Sequence, residues 1–280
     1  MNILKKFFVI ALLNIITVFN SAFSQTGKSI CFYYNEVESI RKLLNFDRVV
    51  LDPSNVTDRQ IADLHAAGIT VYSYISVGEY DESLPDYLKE AKRTDNEEWK
   101  SSIMDVTSPL WHEHIIKYVQ ELKKRNFDGL FLDTLDSFNA YSDEKEDKAY
   151  YDRQVEGLTR LVNDIHSVLP RLIFNRGFEI FDRISFKPEA VGAESVYKTY
   201  SASDDSYIDV SASERRWIID NLNHVKSAGV EAIGLDYLPE SDSEERIKLA
   251  EKISALGYTP YVSDGMLYGI GVSFTNHGSR

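Results

Sequence analysis

Cysteine is nearly absent. Cys31 stands alone in 280 residues, which excludes an intrachain disulfide and any zinc site built on thiolates. Positive charge is also short: 31 Lys and Arg face 44 Asp and Glu, a net charge of −13. A chain so acidic is a poor neutraliser of a nucleic-acid backbone and suits a neutral or cationic ligand better. Several catalytic signatures are missing as well: there is no G-x-S-x-G elbow, no P-loop and no strand-end lysine for a Schiff base. None of the six histidines falls at the end of a candidate strand, which disfavours a histidine-dependent metallohydrolase. What is present is the makeup of a folded protein with a sizeable core, 43% hydrophobic, 12% aromatic and 27% charged.

The first 24 residues differ from the rest. Lys5 and Lys6 precede an apolar stretch from Phe7 to Phe19, and Ala22-Phe23-Ser24 supplies small residues for a cleavage site. This is the pattern of a secretory signal peptide, cut before Gln25. The apolar run is shorter than the ~20 residues of a spanning helix, so the expectation is an exported protein, periplasmic or extracellular, free of the membrane after cleavage. Residues 25–280 then form one domain.

Eight apolar, β-rich runs bounded by turn residues punctuate that domain: Ile30–Tyr34, Arg48–Asp52, Thr70–Val77, Gly129–Asp133, Leu172–Asn175, Ala190–Val196, Ala232–Tyr237 and Thr259–Ser263. Amphipathic stretches lie between most of them. Thr57–Ala67 starts on a Thr cap and stops at Gly68, and Leu110–Arg125 follows Ser108-Pro109. Tyr151–Leu169, Ser213–Ala228 and Ser243–Leu256 stop at Pro170, Gly229 and Gly257. Shorter helices are expected near Glu36–Leu44 and Phe178–Ile184. Strand and helix alternating eight times in about 250 residues predicts a (β/α)8 TIM barrel. A doubly wound sheet would carry a glycine-rich first turn, and none follows Tyr34. After the last strand only Gly265–Arg280 remains, so the eighth helix is expected to be short or missing.

Strand parity assigns each polar residue to lumen or helix layer. In Gly129–Asp133 the leucines face the helices, which turns Asp133 inward. The same logic places Glu194 inward, and it places Asp236 inward with Ile233 and Leu235 packed outward. Asp52, Glu79 and Asp264 stand at or just past other strand ends. Carboxylates at several strand ends converge on the C-terminal mouth, where barrel enzymes keep their active sites, and crowding of like charges splits acid from base roles. Acids without His, Cys or Lys leave glycoside hydrolysis or a magnesium site of the enolase type. The loops carry Tyr80, Tyr87, Trp99, Phe138, Tyr141, Tyr150, Tyr197, Tyr200 and Tyr207, faces on which sugar rings stack. With Asp81, Glu82, Asp86, Asp143, Glu144, Asp204 and Asp205 they make an aromatic, acidic rim that suits an amine-bearing sugar polymer.

Five segments then carry a resemblance. Tyr74-Ile75-Ser76-Val77-Gly78-Glu79-Tyr80, Gly129–Asp133 with Asp136, Asn175-Arg176-Gly177, Glu194-Ser195 and Leu235-Asp236-Tyr237 resemble, in order, the strand-end motifs of glycoside hydrolase family 114. These are the endo-α-1,4-polygalactosaminidases, and the hydrolase domain of the Pel exopolysaccharide protein is similar. The likeness runs from about Ile30 to Asp264. It implies an exported endo-acting hydrolase of galactosamine or N-acetylgalactosamine polymers, with Asp133 as nucleophile and Glu194 as general acid/base, the reverse assignment remaining open. It further implies that Asp52, Glu79, Asp136, Asn175, Asp236 and Tyr237 hold the sugar or tune the pair. Tyr80, Tyr197 and Asp264 are expected to join them on the substrate. No cofactor or metal is expected, and the chain is expected to act as a monomer. A carboxyl separation of ~5 Å would make the enzyme retaining. Two other readings stay open at this stage: a polysaccharide-binding barrel without catalysis, and a magnesium enzyme using Asp133, Glu194 and Asp236 as ligands.

Overall fold

The computed structural model describes residues 28–81 and 83–274. The stretch expected as a signal peptide, residues 1–24, and Glu82 lie outside the described residues. Chain order runs β1 (Ile30–Tyr33), β2 (Arg48–Leu51), α1 (Asp58–Ala66), β3 (Thr70–Ser76), then three short strands β4 (Glu79–Tyr80), β5 (Lys92–Asn96) and β6 (Ser101–Met104). Next come α2 (Pro109–Lys124), β7 (Gly129–Asp133), α3 (Lys148–Val168), β8 (Leu172–Asn175), the single turn α4 (Phe178–Phe181) and β9 (Ala190–Glu194). The hairpin β10 (Lys198–Ser201) and β11 (Ser206–Asp209), α5 (Ala212–Ser227), β12 (Glu231–Tyr237), α6 (Ser243–Ser254) and β13 (Thr259–Ser263) complete the order.

Eight strands pair in parallel in the order β1-β2-β3-β7-β8-β9-β12-β13 and curl into a nearly closed barrel. All eight expected strands are there. Helix starts follow their sequence signals: Thr57 accepts from the Gln60 amide while the Gln60 side chain accepts from Thr57, a capping box, and Pro109 opens α2. The stretch expected as a helix near Glu36–Leu44 is a 3-10 turn, Ile40–Asn45. The loops after the third and sixth barrel strands are themselves β-structured, as the antiparallel sheet β4-β6-β5 and the hairpin β10-β11. Lys92–Asn96 shows no apolar alternation, so the periodic signal that reveals barrel strands is silent there.

The lumen is filled in layers. At the bottom, the Arg48 guanidinium donates to both oxygens of Glu231 at 2.8 and 2.7 Å, and Thr259 donates to the same carboxylate at 2.6 Å. Above them Phe32 meets Phe131 edge-on at 4.9 Å and Tyr261 at 5.3 Å. This buried, largely apolar plug is the floor of the mouth.

Among the described residues no ladder joins β13 to β1. The seam is closed by Tyr261, whose hydroxyl donates to the Phe32 carbonyl at 2.7 Å and accepts from the Gly271 amide at 3.0 Å. The segment beyond β13 runs back antiparallel to it, Val262 and Val272 exchanging both amide bonds, and ends against β1 where Ile30 donates to Ser273 Oγ. Among the described residues no helix follows β13. Cys31 is buried in the first strand beside this seam. No helix among the described residues is long and apolar enough to cross a membrane. Tyr261→Phe removes the hydroxyl's bonds to the Phe32 carbonyl, the Gly271 amide and the Cys31 thiol at the seam, and should cost about 1–3 kcal/mol, read as a lower urea midpoint at unchanged slope.

Candidate active site

Parity inside the barrel decides which strand-end residues meet. Ser76 is in register with Asp133, and Tyr74 with Phe131, so all four face the lumen. On β8 Ile173 pairs with Ala190 and Asn175 with Gly192, which brings Asn175 up between Asp133 and Glu194. Leu235 is in register with Glu194, so Ile233, Leu235 and Tyr237 are the inward residues of β12. A Cβ built on Gly234 would lie 2.6 Å from Ile253 of α6. Asp236 therefore faces the helix layer, and the expectation that it points into the lumen is corrected. Ile and Leu do not mark the outward face here, because a barrel lumen below its mouth is as apolar as the helix interface. The trio Asp133, Glu194 and Asp236 is consequently not assembled around one point.

The two remaining acids are. The Asn175 amide nitrogen donates to Asp133 Oδ1 and to Glu194 Oε1, each at 2.7 Å. Two oxygens bound to one nitrogen can be no more than twice 2.7 Å, about 5.4 Å, apart, close to the ~5–5.5 Å of a retaining pair. Each carboxylate has a tyrosine on its second oxygen: Tyr74 donates to Asp133 Oδ2 at 3.0 Å and Tyr237 to Glu194 Oε2 at 2.5 Å. Both phenols are held well above their ordinary range, chiefly by burial and then by these anions, so they stay donors. Tyr34 stands beside Tyr74, ring centroids 4.9 Å apart. Asp133 is pushed up to about 7, first by burial and then by the charge of Glu194, against the bonds from Asn175, the Thr134 amide and Tyr74.

A backbone device repeats around the mouth. The residue directly after each of the three central side chains is left-handed: Thr134 after Asp133 (φ 60°), Arg176 after Asn175 (φ 55°) and Ser195 after Glu194 (φ 64°). Each costs roughly 1–2 kcal/mol relative to an ordinary conformation, and each turns the chain sharply off the strand so that the side chain before it stays over the lumen. The Gly78 of the Tyr74–Tyr80 motif belongs to this device. Its amide donates to Thr134 Oγ1 at 2.8 Å, and a Cβ there would collide with the Thr134 carbonyl.

Above the pair lies a cleft of about 920 Å³. Asp52, Glu79, Asp136, Asn175 and Tyr237 line it together with Asp133 and Glu194. Asp52 caps the turn after β2 by accepting from Ser54. Glu79 accepts from Ser101 and Ser137, and Asp136 pairs with Arg176 at 3.3 Å. Four expected contacts fall outside the lining. Tyr80 packs against Trp111 and His114. The Tyr197 ring lies between Arg215 and Lys252. Asp236 is in the helix layer. Asp264 accepts the amides of Met266, Tyr268 and Gly269 and so folds the rim loop.

Several lining residues carried no role in the sequence reading. Tyr34 and Tyr74 were open to the same parity argument as Asp133. Asp95, Glu97, Glu98, Met266 and Tyr268 sit in irregular or hairpin segments with no periodic signal. Of the nine loop aromatics only Trp99 and Tyr200 reach the cleft; Phe138 is buried and Tyr141 donates to Gln154 at 3.0 Å. Tyr200 lies flat on Gly265, where any Cβ would strike its ring, so the hairpin β10-β11 is pressed onto the rim loop.

Comparison with known proteins bears on the family and the fold. The sequence profile of glycoside-hydrolase family GH114 matches residues 21–278. Among solved structures, the glycoside hydrolase domain of PelA from Pseudomonas aeruginosa is 32% identical, with 88% of this chain and 99% of that one covered at a TM-score of 0.81. Aspergillus fumigatus Ega3, solved as a complex with galactosamine, shares the fold at 13% identity and a TM-score of 0.67, over 89% and 96% of the two chains. Among curated proteins no match is found. With eight parallel strands, a paired-carboxylate mouth and a profile that spans nearly its whole length, the chain belongs to glycoside-hydrolase family GH114 and is a glycoside hydrolase.

Proposed function

We propose that the protein is an exported, endo-acting hydrolase of α-1,4-linked galactosamine or N-acetylgalactosamine polymers, working as a monomer through Asp133 and Glu194 with retention at the anomeric carbon. The observation that carries the two-carboxylate part is the shared Asn175 donor, which sets the pair within reach of one sugar. Substrate class is supported by charge: nine carboxylates line the cleft against the single guanidinium of Arg176, so a polymer bearing ammonium groups is drawn in and an anionic one repelled. Ega3, with the same fold, was solved with galactosamine. The leader pattern over residues 1–24 supports export.

A two-carboxylate mechanism needs one proton on the pair, and the lift of Asp133 to about 7 supplies it at neutral pH. In the proposed reaction Asp133 acts as the ionised nucleophile and Glu194 as the general acid/base. Asp133 then attacks the anomeric carbon as Glu194 protonates the departing oxygen, giving a glycosyl ester. Water, deprotonated by Glu194, adds its hydroxyl to that carbon and frees the carboxylate. Tyr74 and Tyr237 keep each carboxylate oriented throughout.

Three outcomes test this reading. Asp133→Asn and Glu194→Gln should each lower the release of reducing ends from a partly deacetylated galactosamine polymer by about 10³-fold or more; retained activity in both variants would end the proposal. In the wild type kcat/KM should fall about tenfold per pH unit above about 7, because the pair then loses its proton. The same shift acts on stability with a definite sign. A carboxyl raised in the folded state withdraws stability as pH climbs from its unfolded value of about 4 to about 7, so Asp133→Asn should melt higher than wild type above pH 7, by at most about 4 kcal/mol, with the gain vanishing near pH 4.

A further inference from the structure

Asp236 is the buried acid that the mechanism does not use. It is 1% exposed, on the helix side of β12. Its two oxygens accept the Tyr197 amide at 3.0 and 2.9 Å, and the amides of Val196 and Lys198 donate to it as well. Those three residues follow Glu194 by two, three and four positions. Between them and Glu194 stands only Ser195, left-handed, with its amide on the Leu235 carbonyl at 2.7 Å. The next residue of β12, Tyr237, grips the Glu194 carboxylate from the lumen side. Consecutive residues of one strand therefore hold Glu194 from both faces of the sheet, Tyr237 by its side chain and Asp236 by the backbone that follows it.

We propose that Asp236 is a positioning residue for Glu194: by gathering the amides of residues 196–198 it fixes the turn at Ser195 and thereby the aim of Glu194 at Asp133. The proposal rests on the reading of Glu194 as a catalytic carboxylate. A purely stabilising clamp is the competing account, and the local chemistry argues against it. Burial pushes Asp236 up to about 7, so the acid is kept where its charge is disfavoured. The Lys252 ammonium from α6 acts on it in the opposite direction and stands over the Tyr197 ring at 3.8 Å, with Arg215 from α5 over the same ring at 5.1 Å. A neutral side chain would fill the space at lower cost, but it would offer fewer acceptors to three converging amides.

The test compares Asp236→Asn, which keeps volume and one acceptor, with Asp236→Ala, which keeps none. Removing a disfavoured buried charge lets the Asn variant fold. At a temperature well below melting, kcat on the galactosamine polymer should fall about tenfold for Asn and about a hundredfold for Ala, with KM within about twofold of wild type. Carbon-13 titration of Asp133 and Glu194 should move in both variants, a readout that needs no substrate. In the wild type itself, the amides of 196–198 should exchange at least about a hundredfold more slowly than those of the exposed turn 203–205. Folded variants with wild-type kcat and wild-type titration would overturn the proposal, and so would fast exchange of those amides in the wild type. Inactivity of the wild type on every aminosugar polymer would instead sink the substrate reading, with the titration still deciding the role of Asp236.

Discussion

A single amide nitrogen joins the two carboxylates at the barrel mouth. Two carboxylates whose Asn175-bound oxygens lie within about 5.4 Å of each other repel by roughly 3 kcal/mol or more at an effective dielectric of 20 when both are ionised, and left to themselves they would splay apart. Asn175 donates to both and so makes their closeness tolerable. Its own carbonyl oxygen is buried without a partner, a sign that the side chain is oriented for its nitrogen. The apolar floor of Phe32, Phe131 and Tyr261 denies the pair solvation from below, and that pressure keeps a proton available near neutrality.

The same arrangement explains where the fold accepts strain. Left-handed residues at the ends of β7, β8 and β9 put unfavourable backbone next to the three side chains that must converge, and nowhere else in those strands. The compensation is local. Thr134 Oγ1 accepts from the Val77 and Gly78 amides, the Ser195 amide finds Leu235, and Arg176 pairs with Asp136. Strain concentrated at the mouth is the counterpart of well-packed layers below it.

Much of this was legible in the residues. The eight strands show as apolar runs because the barrel buries both their faces, and Asp133 and Glu194 show because alternation within Gly129–Asp133 and Ala190–Glu194 has one consistent solution. Asp236 did not, since Ala232–Tyr237 has apolar residues on both faces and parity there has two solutions that only the register with β9 separates. The acidic lip of Asp95, Glu97 and Glu98 escaped for a different reason: its strands are short, polar and paired to each other, so neither periodicity nor burial marks them. The strand-end motifs carried the family; the rim, which shapes the cleft, lies in segments where sequence pattern is mute.

The seam between β13 and β1 has a bearing on how the molecule can be attached to anything. From the rim loop the chain descends antiparallel to β13 until Ser273 meets Ile30, at the pole of the barrel opposite the mouth. Both ends of the described chain thus leave from the underside, side by side. A solid support, a cell surface or a fused domain tethered at either end would meet that underside, and the carboxylate-lined opening would still look outward.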